Sequence, residues 1–539
     1  MKILLVIPDY GSKKYYTFPL GIPYISSYLK ARGWNITAFN ANHYPGEKLS
    51  QILQSDNYAV VATGGMFTHA AIMNEFVKTV RAFSPESKII LGGPIAAGDP
   101  EFTFDILRPD FLITGEGERA MDYLLQALKR GSGFRDLPGI FFKENGKYIR
   151  TEPAGLIENL DEVPFPDYEG FEFGYYLDNF KEDNQAFQCI GGELLNRRTG
   201  IVVTTRDCVS KCTFCFRLMG GVYRARSLEN VMKEINFLRE NYKVNNIAFC
   251  DDMFAANKDR VKAFCRELKV LGIPWRGQVR VNVVDDELLK IMKDSGCFFI
   301  SYGFESGSHS VLKSMKKGIT TEQIDRAITS AVKAKISIQG NFIFGDPAET
   351  IETAKETIRF ARKYKKFCLG FGFIIPYPGT ELYYKLIDNG RMDNKWDFYL
   401  KPGHKFYNMT SLSDIDFEYL DKKIGVESHY RGQCSNGKLS KVRRTGKYIA
   451  SFALKCQHCE AENKVNDYNI EDGDEIVCRE CYQRIGINQC DFRFGRWRVM
   501  ARRIYYLYFL RLATMSPFVY RIFRPFLVLF SVGKSAFKV

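Results

Sequence analysis

Predicted strands alternate with predicted helices along most of this chain, and this alternation limits the folds that it can adopt. In residues 1–135, apolar runs such as Lys2–Ile7, Tyr58–Thr63 and Lys88–Leu91 are separated by amphipathic helical patterns. Short strands that alternate with helices predict a parallel, doubly wound α/β sheet of the Rossmann kind. Between residues 200 and 375 the alternation continues through six more strand–helix units, which predict a partial (β/α)6 barrel.

Three cysteines, Cys208, Cys212 and Cys215, occupy the connection after the first predicted barrel strand. Parallel α/β folds place their chemistry at the carboxyl ends of strands, so this connection is a candidate site. The spacing lets three thiolates reach three irons of one cubane [4Fe-4S] cluster, and the fourth iron then has no protein ligand. A co-substrate can coordinate that open iron directly. The alternative interpretation is a zinc knuckle or three buried thiols.

The triplet, with Phe214 as the aromatic residue before its third cysteine, resembles the signature of radical S-adenosylmethionine (radical SAM) enzymes. The resemblance implies that Cys208, Cys212 and Cys215 are catalytic ligands of a [4Fe-4S] cluster. It further implies that the free iron chelates S-adenosylmethionine (SAM), which is cleaved to a 5′-deoxyadenosyl radical. Such an enzyme also needs an external electron donor such as flavodoxin or ferredoxin.

Polar and glycine residues at the later strand ends follow the order found in the same family, so that the resemblance covers about 420 residues. Taken singly, each could be a turn residue or a helix-capping acid. In addition to Phe214, the resemblance implies that cofactor-binding residues stand at four strand ends: Asp252, Arg280, Glu305 with Ser306, and Gly345.

Glycines follow three strands of the first domain, where they either make tight turns or let a ligand approach the backbone closely. With Phe18–Ile22 and Asp110–Glu118, they make the domain resemble the cobalamin-binding domain that precedes many radical enzymes. The cofactor-binding residues that this resemblance implies are Thr63, Gly64, Gly65, Gly92, Gly93, Gly115 and Glu116.

One loop departs from the cobalamin pattern. Domains with a histidine lower ligand carry aspartate-x-histidine-x-x-glycine after the first strand, whereas this chain has Pro8-Asp9-Tyr10-Gly11-Ser12-Lys13. We therefore expect no ligation of cobalt through that loop. His69 is interpreted as a residue at the start of a helix rather than a ligand. Either the domain binds cobalamin without this histidine, or it is a relic that no longer binds it.

Four cysteines near the carboxyl end form two close pairs, Cys456 with Cys459 and Cys478 with Cys481, separated by 18 residues. Two such knuckles predict a tetrahedral site for zinc, although a rubredoxin-like iron site uses the same four sulfurs. Two chance pairs or a redox dithiol are the alternatives. Cys434 and Cys490 flank the module without an assigned partner. Clustered cysteines in a chain that shows no signal peptide favour metal binding and a cytoplasmic location over disulfides.

The last residues are basic. No acidic residue follows Asp491, and ten Lys and Arg residues there account for most of the net charge of +14. As a helix, the segment presents one apolar stripe between Trp497 and Leu512. The stripe could dock on the barrel, or the basic, aromatic-rich end could bind an anionic membrane surface at the inner face of the membrane. No apolar run reaches the ~20 residues that span a bilayer.

The predicted domains are a cobalamin-binding-like Rossmann domain at 1–135, a linker with a hairpin around Asn145-Gly146 at 136–185, a radical SAM partial barrel at 186–425, a zinc-ribbon-like module at 426–490 and a basic amphipathic helical tail at 491–539.

Three functions are compatible with this organisation. The favoured one is cobalamin-dependent radical methylation of an unactivated carbon, with a small molecule, a lipid or a cell-envelope molecule as substrate. The second is radical carbon–carbon bond formation or cyclisation on a lipid, without methyl transfer. The least favoured is RNA modification or nucleic-acid binding through the zinc ribbon. The related tRNA enzymes need a second cysteine triplet in the first domain, and here the first cysteine is Cys189.

Overall fold

The structure is a computed structural model. It describes residues 1–11, 16–44, 48–180, 189–190, 193–194, 198–218, 220–392, 394–400, 407–446, 449–469, 475–487 and 510–532. The chain divides into two compact units, each built from several segments. The first unit comprises Met1–Asp183, Arg198–Phe254 and Ile375–Tyr407, and the second comprises Asn184–Arg197, Ala255–Ile374 and Asn408–Val539. The domain boundaries inferred from the sequence remain predictions.

The described strands, in chain order, are β1 Lys2–Ile7, β2 Asn35–Asn40, β3 Val60–Gly64, β4 Lys88–Gly92, β5 Phe111–Ile113, β6 Ile140–Glu144, β7 Lys147–Arg150, β8 Cys189–Ile190, β9 Glu193–Leu194, β10 Thr199–Val202, β11 Thr205–Arg206, β12 Arg224–Ala225, β13 Asn246–Phe249, β14 Trp275–Gln278, β15 Cys297–Glu305, β16 Ser337–Phe344, β17 Gly370–Phe373, β18 Lys438–Arg444, β19 Ile449–Lys455, β20 Glu462–Asn469, β21 Glu475–Val477 and β22 Arg484–Gly486.

The described α-helices are α1 Gly21–Lys30, α2 Lys48–Ser55, α3 Ala70–Phe83, α4 Pro94–Gly98, α5 Pro100–Leu107, α6 Gly117–Arg130, α7 Phe173–Asn179, α8 Leu228–Tyr242, α9 Lys258–Leu271, α10 Asp286–Asp294, α11 His309–Ser314, α12 Thr321–Lys333, α13 Ile351–Lys363, α14 Glu381–Asp388, α15 Lys395–Leu400, α16 Asp414–Cys434, α17 Arg511–Ala513 and α18 Pro517–Val532. Short 3-10 helices occur at Ala41–His43, Phe67–His69 and Leu160–Glu162.

The first unit contains a seven-stranded sheet in the order β2-β1-β3-β4-β5-β6-β7. Strands β1 to β5 are parallel, and the hairpin β6–β7 adds two antiparallel strands. Leu4, Val60 and Leu91 are fully buried in its centre. Near-continuous apolar strands are expected where helices cover both faces of a parallel sheet. The doubly wound fold predicted from the sequence is thus confirmed.

The six predicted barrel strands are all present. In the first unit β10 and β13 pair in parallel, and β11 pairs with β12 in a short antiparallel ribbon. In the second unit β14, β15, β16 and β17 form consecutive parallel pairs. The helices between them begin at polar caps, as at Thr320 of α12, whose side chain accepts from Gln323 N–H in a capping box.

The carboxy-terminal part of the second unit contains two small sheets. One is the antiparallel meander β18-β19-β20, and the other has the order β22-β21-β8-β9. Strands β8 and β9 come from residues that precede the predicted barrel strands, so the module draws on a distant part of the chain. A buried cluster that includes Ala450, Val465 and Ile485 forms its core.

Candidate active site

A cavity of about 490 Å³ lies within the first unit, at the carboxyl ends of β1, β3 and β4. In the order β2-β1-β3-β4-β5 the connections reverse direction between β1 and β3, and open α/β sheets bind ligands in the crevice at such a point. The residues predicted to contact cobalamin all line this cavity: Thr63, Gly64, Gly65, Gly92, Gly93, Gly115 and Glu116.

The lining glycines differ in what they do. A Cβ on Gly64 would lie 2.9 Å from the carbonyl oxygen of Gly92, and a Cβ on Gly65 would lie 2.7 Å from Met73 Cε. These two glycines therefore allow the strand ends to pack closely. This is a structural role, as opposed to close approach of a ligand to the backbone. A Cβ on Gly115 would meet no atom within 4 Å, so the loop after β5 leaves room beside the backbone. Thr63 donates its hydroxyl to the Val6 carbonyl oxygen at 2.8 Å.

Glu116 is a buried charge with several partners. Its carboxylate accepts hydrogen bonds from Arg206 Nη1 at 2.8 Å, Arg224 Nη1 at 2.9 Å and the Ile157 N–H at 2.8 Å. Burial alone would raise the pKa of Glu116, but the two guanidinium groups hold it below its usual range. Arg206 also donates to Glu118 at 2.5 Å. The two glutamates thus connect the cavity to the segment directly before Cys208, a contact that the sequence reasoning missed.

Hydrogen bonds that involve backbone groups hold the cysteine loop in place. Asp207 adopts a left-handed conformation with φ of 67°, and its carboxylate accepts from the N–H groups of Cys208 at 2.9 Å and Gly221 at 2.7 Å. The Thr213 carbonyl oxygen accepts from the N–H of Leu382 at 3.3 Å. The three predicted cluster ligands differ in accessibility: Cys208 is half-buried, Cys212 is buried and Cys215 is exposed. Phe214 is half-buried on the same loop.

Two adjacent carboxylates after β13 have different roles. Asp251 is buried and accepts from the N–H groups of Thr204 and Thr205 at 2.5 and 2.9 Å, so it fixes the backbone that follows β10. Asp252 lines the cavity, as Cys250 does. Surrounding protein atoms and the negative charge of Asp207 raise the pKa of Asp252. A carboxyl group that is easily protonated is common in a functional site.

The remaining predicted SAM contacts lie in the second unit. Glu305 ends β15 with φ of 62°, and its carboxylate accepts from Lys317 Nζ at 2.7 Å. Arg280 donates to the Lys317 carbonyl oxygen. A non-glycine residue in this strained conformation persists only where its surroundings enforce it, which occurs often at functional sites. Lys317 is a member of this group that the sequence reasoning missed, because it belongs to a loop rather than to a strand end.

Ser306 and Gly345 have local structural partners. The Ser306 hydroxyl lies 2.9 Å from that of Thr357 and accepts from the Ser308 N–H at 3.1 Å. Gly345 has φ of 92°, which favours glycine, and its N–H donates to Glu349 at 3.3 Å. Burial raises the pKa of Glu349 to about 7.

Comparison with known proteins identifies the family. The model of the radical SAM superfamily matches residues 202–361, and that of the B12 binding domain matches residues 10–125. The chain is 31% identical over 428 residues to an uncharacterized methyltransferase from Pyrococcus horikoshii, with 76% of this chain and 89% of that protein covered. This chain belongs to the cobalamin-dependent radical SAM methyltransferase family.

Two further likenesses agree with this assignment. The enzyme is 24% identical over 451 residues to the cytidylyl-2-hydroxyethylphosphonate methyltransferase of Streptomyces wedmorensis, with 74% of this chain and 82% of that protein covered. It shares its fold with the radical SAM methyltransferase TsrM from Kitasatospora setae, solved with cobalamin and a [4Fe-4S] cluster. The TM-score is 0.59 at 16% identity, over 72% of this chain and 75% of TsrM.

The radical SAM domain requires a [4Fe-4S] cluster and SAM, and the B12 binding domain requires cobalamin; the residues present fit all three. The cysteine loop supplies three thiols, of which Cys215 is open to solvent. Within the described residues, two buried polar atoms at the cavity, Thr205 Oγ1 and His69 Nδ1, have no hydrogen-bond partner. Unpartnered groups beside a cavity are expected where a ligand completes the site.

The second cysteine site of the enzyme is already assembled. Cys456 Sγ lies 3.7 Å from Cys481 Sγ, and Cys459 Sγ lies 3.6 Å from Cys478 Sγ. All four sulfurs lie within 4.8 Å of one another. Asn463 Nδ2 donates to Cys478 Sγ at 3.5 Å, which is the kind of second contact that orients a metal ligand. The four cysteines predicted to bind a metal therefore form one cluster, and metal binding there stays a prediction. Cys434 is half-buried at the end of α16, and Cys490 lies outside the described residues.

The described part of the tail covers only α17 and α18, so the predicted stripe before Leu510 lies outside it. Tyr520 and Leu527 pack against Tyr419 and Val426 of α16. Arg521 and Arg524 form ion pairs with Asp416 at 3.0 Å and Glu418 at 2.7 Å. No helix in the described ranges is both long and apolar enough to cross a bilayer.

Proposed function

We propose that this enzyme methylates an unactivated carbon by cobalamin-dependent radical chemistry. The observation that carries the proposal is that one compact unit contains both the cysteine loop and the cavity of the B12 binding domain. Arg206 joins them, because its guanidinium group bonds to Glu116 and Glu118 at the cavity while its backbone lies two residues from Cys208.

Each group of residues has a defined part in this proposal. When bound, the cluster supplies the electron for SAM cleavage and cobalamin carries the methyl group. Cys208, Cys212 and Cys215 hold the cluster, and Asp252 offers a carboxyl group to a ligand in the cavity. The proposal gives Glu305, whose carboxylate accepts a hydrogen bond from Lys317 in the second unit, the part of a SAM contact. The apolar residues around the cavity exclude water from the reacting groups.

The test is an anaerobic assay with SAM that carries a deuterated methyl group. We expect the reconstituted enzyme, supplied with cobalamin, a reductant and extracted cell lipids, to form 5′-deoxyadenosine, S-adenosylhomocysteine and a product heavier by one labelled methyl group. Mass spectrometry detects all three. If 5′-deoxyadenosine forms with a cyclised or coupled product that carries no label, the reaction is not a methyl transfer.

The proposed substrate is a lipid or lipid-linked cell-envelope molecule, reached by peripheral contact with an anionic membrane. The outward face of α17 and α18 supports this proposal. Met515, Phe518 and Ile522 are 67, 72 and 54% exposed, and Arg511 and Arg521 are exposed beside them. Exposed aromatic and aliphatic side chains next to arginines suit the boundary between lipid head groups and acyl chains.

The inward face of α18 changes how this proposal should be tested. Because Tyr520 and Leu527 pack on α16, deletion of residues 492–539 would expose Tyr419 and Val426 as well as remove the basic charges. Outward-facing point substitutions avoid this problem. The combined variant Phe518→Ser and Ile522→Ser removes apolar area only from the exposed surface.

Flotation with vesicles that contain phosphatidylserine, at low salt, measures the contact. We expect the full chain to bind and the double variant to bind at least tenfold more weakly, since removing exposed apolar area from the contact costs about 25 cal/mol for each Å². Val270→Ser is the matched control, because Val270 is an 85% exposed valine on α9. Absence of binding by the full chain would remove the support for a lipid substrate and leave the methyl-transfer proposal intact.

A further inference from the structure

Arg217 follows the cysteine loop and lines the cavity of the first unit without a charged partner. Its side chain is half-buried, and within the described residues it forms no hydrogen bond and no ion pair. The other arginine of the cavity wall, Arg206, is already committed, because its guanidinium group donates to Glu116 and Glu118. Of the two arginines in the described wall, only Arg217 therefore keeps its donors for a ligand.

The two remaining acids of the wall are not partners of Arg217. The Asp207 carboxylate accepts from the N–H groups of Cys208 at 2.9 Å and Gly221 at 2.7 Å. Surrounding protein atoms and the charge of Asp207 raise the pKa of Asp252, which disfavours its ionised form. A guanidinium group without an acidic partner in a cavity wall suits an oxyanion, which it can bind through two parallel hydrogen bonds.

Gly221 places this guanidinium group beside the cysteine loop. A Cβ added to Gly221 would lie 3.4 Å from Arg217 Nη1 and 3.5 Å from the carbonyl oxygen of Cys208. The side chain of Arg217 thus folds back over the glycine, next to the first predicted cluster ligand. Gly221 has φ of 93°, a backbone conformation that favours glycine, so the local chain keeps this space open for the arginine.

A second donor is available on the other side of the loop in the chain. Thr205 is 2% exposed and lines the same cavity, and its Oγ1 has no hydrogen-bond partner in the part of the chain that the structure describes. A buried hydroxyl without a partner is unfavourable unless a ligand or water completes it. The segments before and after the cysteine loop therefore both present polar donors to the cavity.

Methyl transfer limits which ligand uses these donors. The acceptor carbon must be reached both from the cysteine loop and from the cobalamin-binding domain, so the substrate occupies the part of the cavity where the loop contributes to the wall. We infer that Arg217, together with Thr205, binds a phosphate group of the substrate and thereby selects anionic acceptors. Phosphate is the anion that a lipid head group and a water-soluble phosphate ester have in common. The inference rests on the methyl-transfer function proposed above.

Isothermal titration calorimetry of the anaerobic enzyme, loaded with its cluster and cobalamin, tests this inference without turnover. The probes are dihexanoyl phosphatidic acid, glycerol 3-phosphate and the uncharged dihexanoylglycerol, at one salt concentration and below the concentration at which they form micelles. We expect phosphatidic acid to bind and the uncharged lipid to bind at least tenfold more weakly. If glycerol 3-phosphate binds as tightly as phosphatidic acid, the inference stands and the phosphate is that of a soluble ester.

Substitutions identify the residue that recognises the phosphate. We expect Arg217→Gln to weaken binding of the phosphate probe by about ten- to a hundredfold, because a hydrogen bond between charged groups is lost. Arg217→Lys keeps the charge without the forked geometry and should fall between Arg217→Gln and wild type. The matched control is Arg130→Gln, which changes an exposed arginine at the end of α6 and should bind like wild type. Iron content and the affinities for cobalamin and SAM should be unchanged in all three variants.

Several results would overturn the inference. These are unchanged phosphate affinity in Arg217→Gln, equal binding of the uncharged lipid by wild type, and no binding of either phosphate probe. A loss of cobalamin or SAM affinity as large as the loss of phosphate affinity would also overturn it, because Arg217 would then serve a cofactor. If Arg217→Gln loses its iron or unfolds, the comparison of Arg217→Lys with Arg130→Gln decides. Phosphate binding that depends on Arg217, in an enzyme that transfers no labelled methyl group, would contradict the proposed function but not the phosphate site.

Discussion

The two cysteine sites differ in how far the protein alone assembles them. In the carboxy-terminal module, four sulfurs lie within 4.8 Å of one another and receive hydrogen bonds from Asn463 Nδ2 and the His458 N–H. In the described residues, the thiols of Cys208, Cys212 and Cys215 form no such convergent group, and one of them is exposed.

The difference follows from the chemistry that each site supports. A single tetrahedral ion needs four ligands around one point, and a site that is closed in this way is structural. A cubane cluster spreads its thiolates over separate irons and leaves one iron for a co-substrate, so its ligands need to face open space. Convergence and burial indicate a metal that holds the fold, and an exposed loop supported by its backbone indicates a metal that reacts.

The largest effect expected from this contrast is that of replacing the loop cysteines. The triple variant Cys208→Ala, Cys212→Ala and Cys215→Ala should lose the four cluster irons and all reductive cleavage of SAM. The four-cysteine site should retain its metal, because it uses none of these thiols. Iron analysis and detection of 5′-deoxyadenosine check the loss of the cluster and of SAM cleavage. Zinc analysis, together with the remaining iron, checks that the four-cysteine site keeps its metal. Continued 5′-deoxyadenosine formation would contradict the ligand assignment.

Removing a ligand from the four-cysteine site should first affect the stability of the carboxy-terminal module. Metal binding to a four-thiolate module is worth about 10–16 kcal/mol, so Cys478→Ser should lose the metal and unfold the module. The module packs on the loop before β17, where the His458 and Phe367 rings are 4.5 Å apart and Gln457 donates to the Lys366 carbonyl oxygen at 3.0 Å. Hydrogen exchange in residues 364–369 should therefore rise. Cys434→Ser, at the end of α16, is the control and should change neither metal content nor exchange.

Local sequence signals predicted the elements of this fold well. The apolar run Lys2–Ile7 is β1 to the residue, and the turn signal Asn145-Gly146 joins β6 to β7 with both residues at positive φ. These features depend on side chains close together in the sequence, namely the alternation of apolar runs and the tolerance of Asn and Gly for left-handed backbone. The cavity could also be placed, because strand ends of parallel sheets meet at one edge.

The side-chain partners within the site could not be predicted. Glu116 was expected to contact a cofactor, yet its carboxylate binds Arg206 and Arg224, which are 90 and 108 positions away in the chain. No local pattern marks such a pair, because its energy arises only when folding buries both charges. The same holds for Lys317 beside Glu305, and for β8, which pairs with β21 of the module.

A smaller effect would show that the cysteine loop depends on protein contacts rather than on metal. Glu116→Gln should destabilise the metal-free enzyme by about 3 kcal/mol, near the lower end for a broken buried ion pair, because Glu118 still neutralises Arg206. The pKa of Glu116 is lowered in the fold, so its stabilisation is present at neutral pH and is lost as the pH falls through that lowered value. The difference between variant and wild type should thus shrink in acid. Urea unfolding at several pH values measures it, with the exposed Glu86→Gln as control; an equal effect of both variants would contradict the role of the network.

The smallest change in stability is expected from a substitution at Asp252. Its sign is opposite to that of Glu116→Gln, because it should stabilise the metal-free enzyme. The protein atoms around Asp252 and the charge of Asp207 raise the pKa of Asp252, so the folded state is slightly penalised once the pH rises above that raised value and Asp252 ionises. Asp252→Asn removes the penalty, and the metal-free variant should unfold at a slightly higher temperature than wild type at neutral pH but not in acid. SAM cleavage should fall by about ten- to a hundredfold, since a hydrogen bond to a charged group contributes about 1.5–3 kcal/mol. A gain in stability with a loss of activity is characteristic of a residue kept for function. If Asp252→Asn is instead less stable than wild type at neutral pH, Asp252 supports the fold in the way that Asp251 does, and the cavity loses its proposed SAM contact.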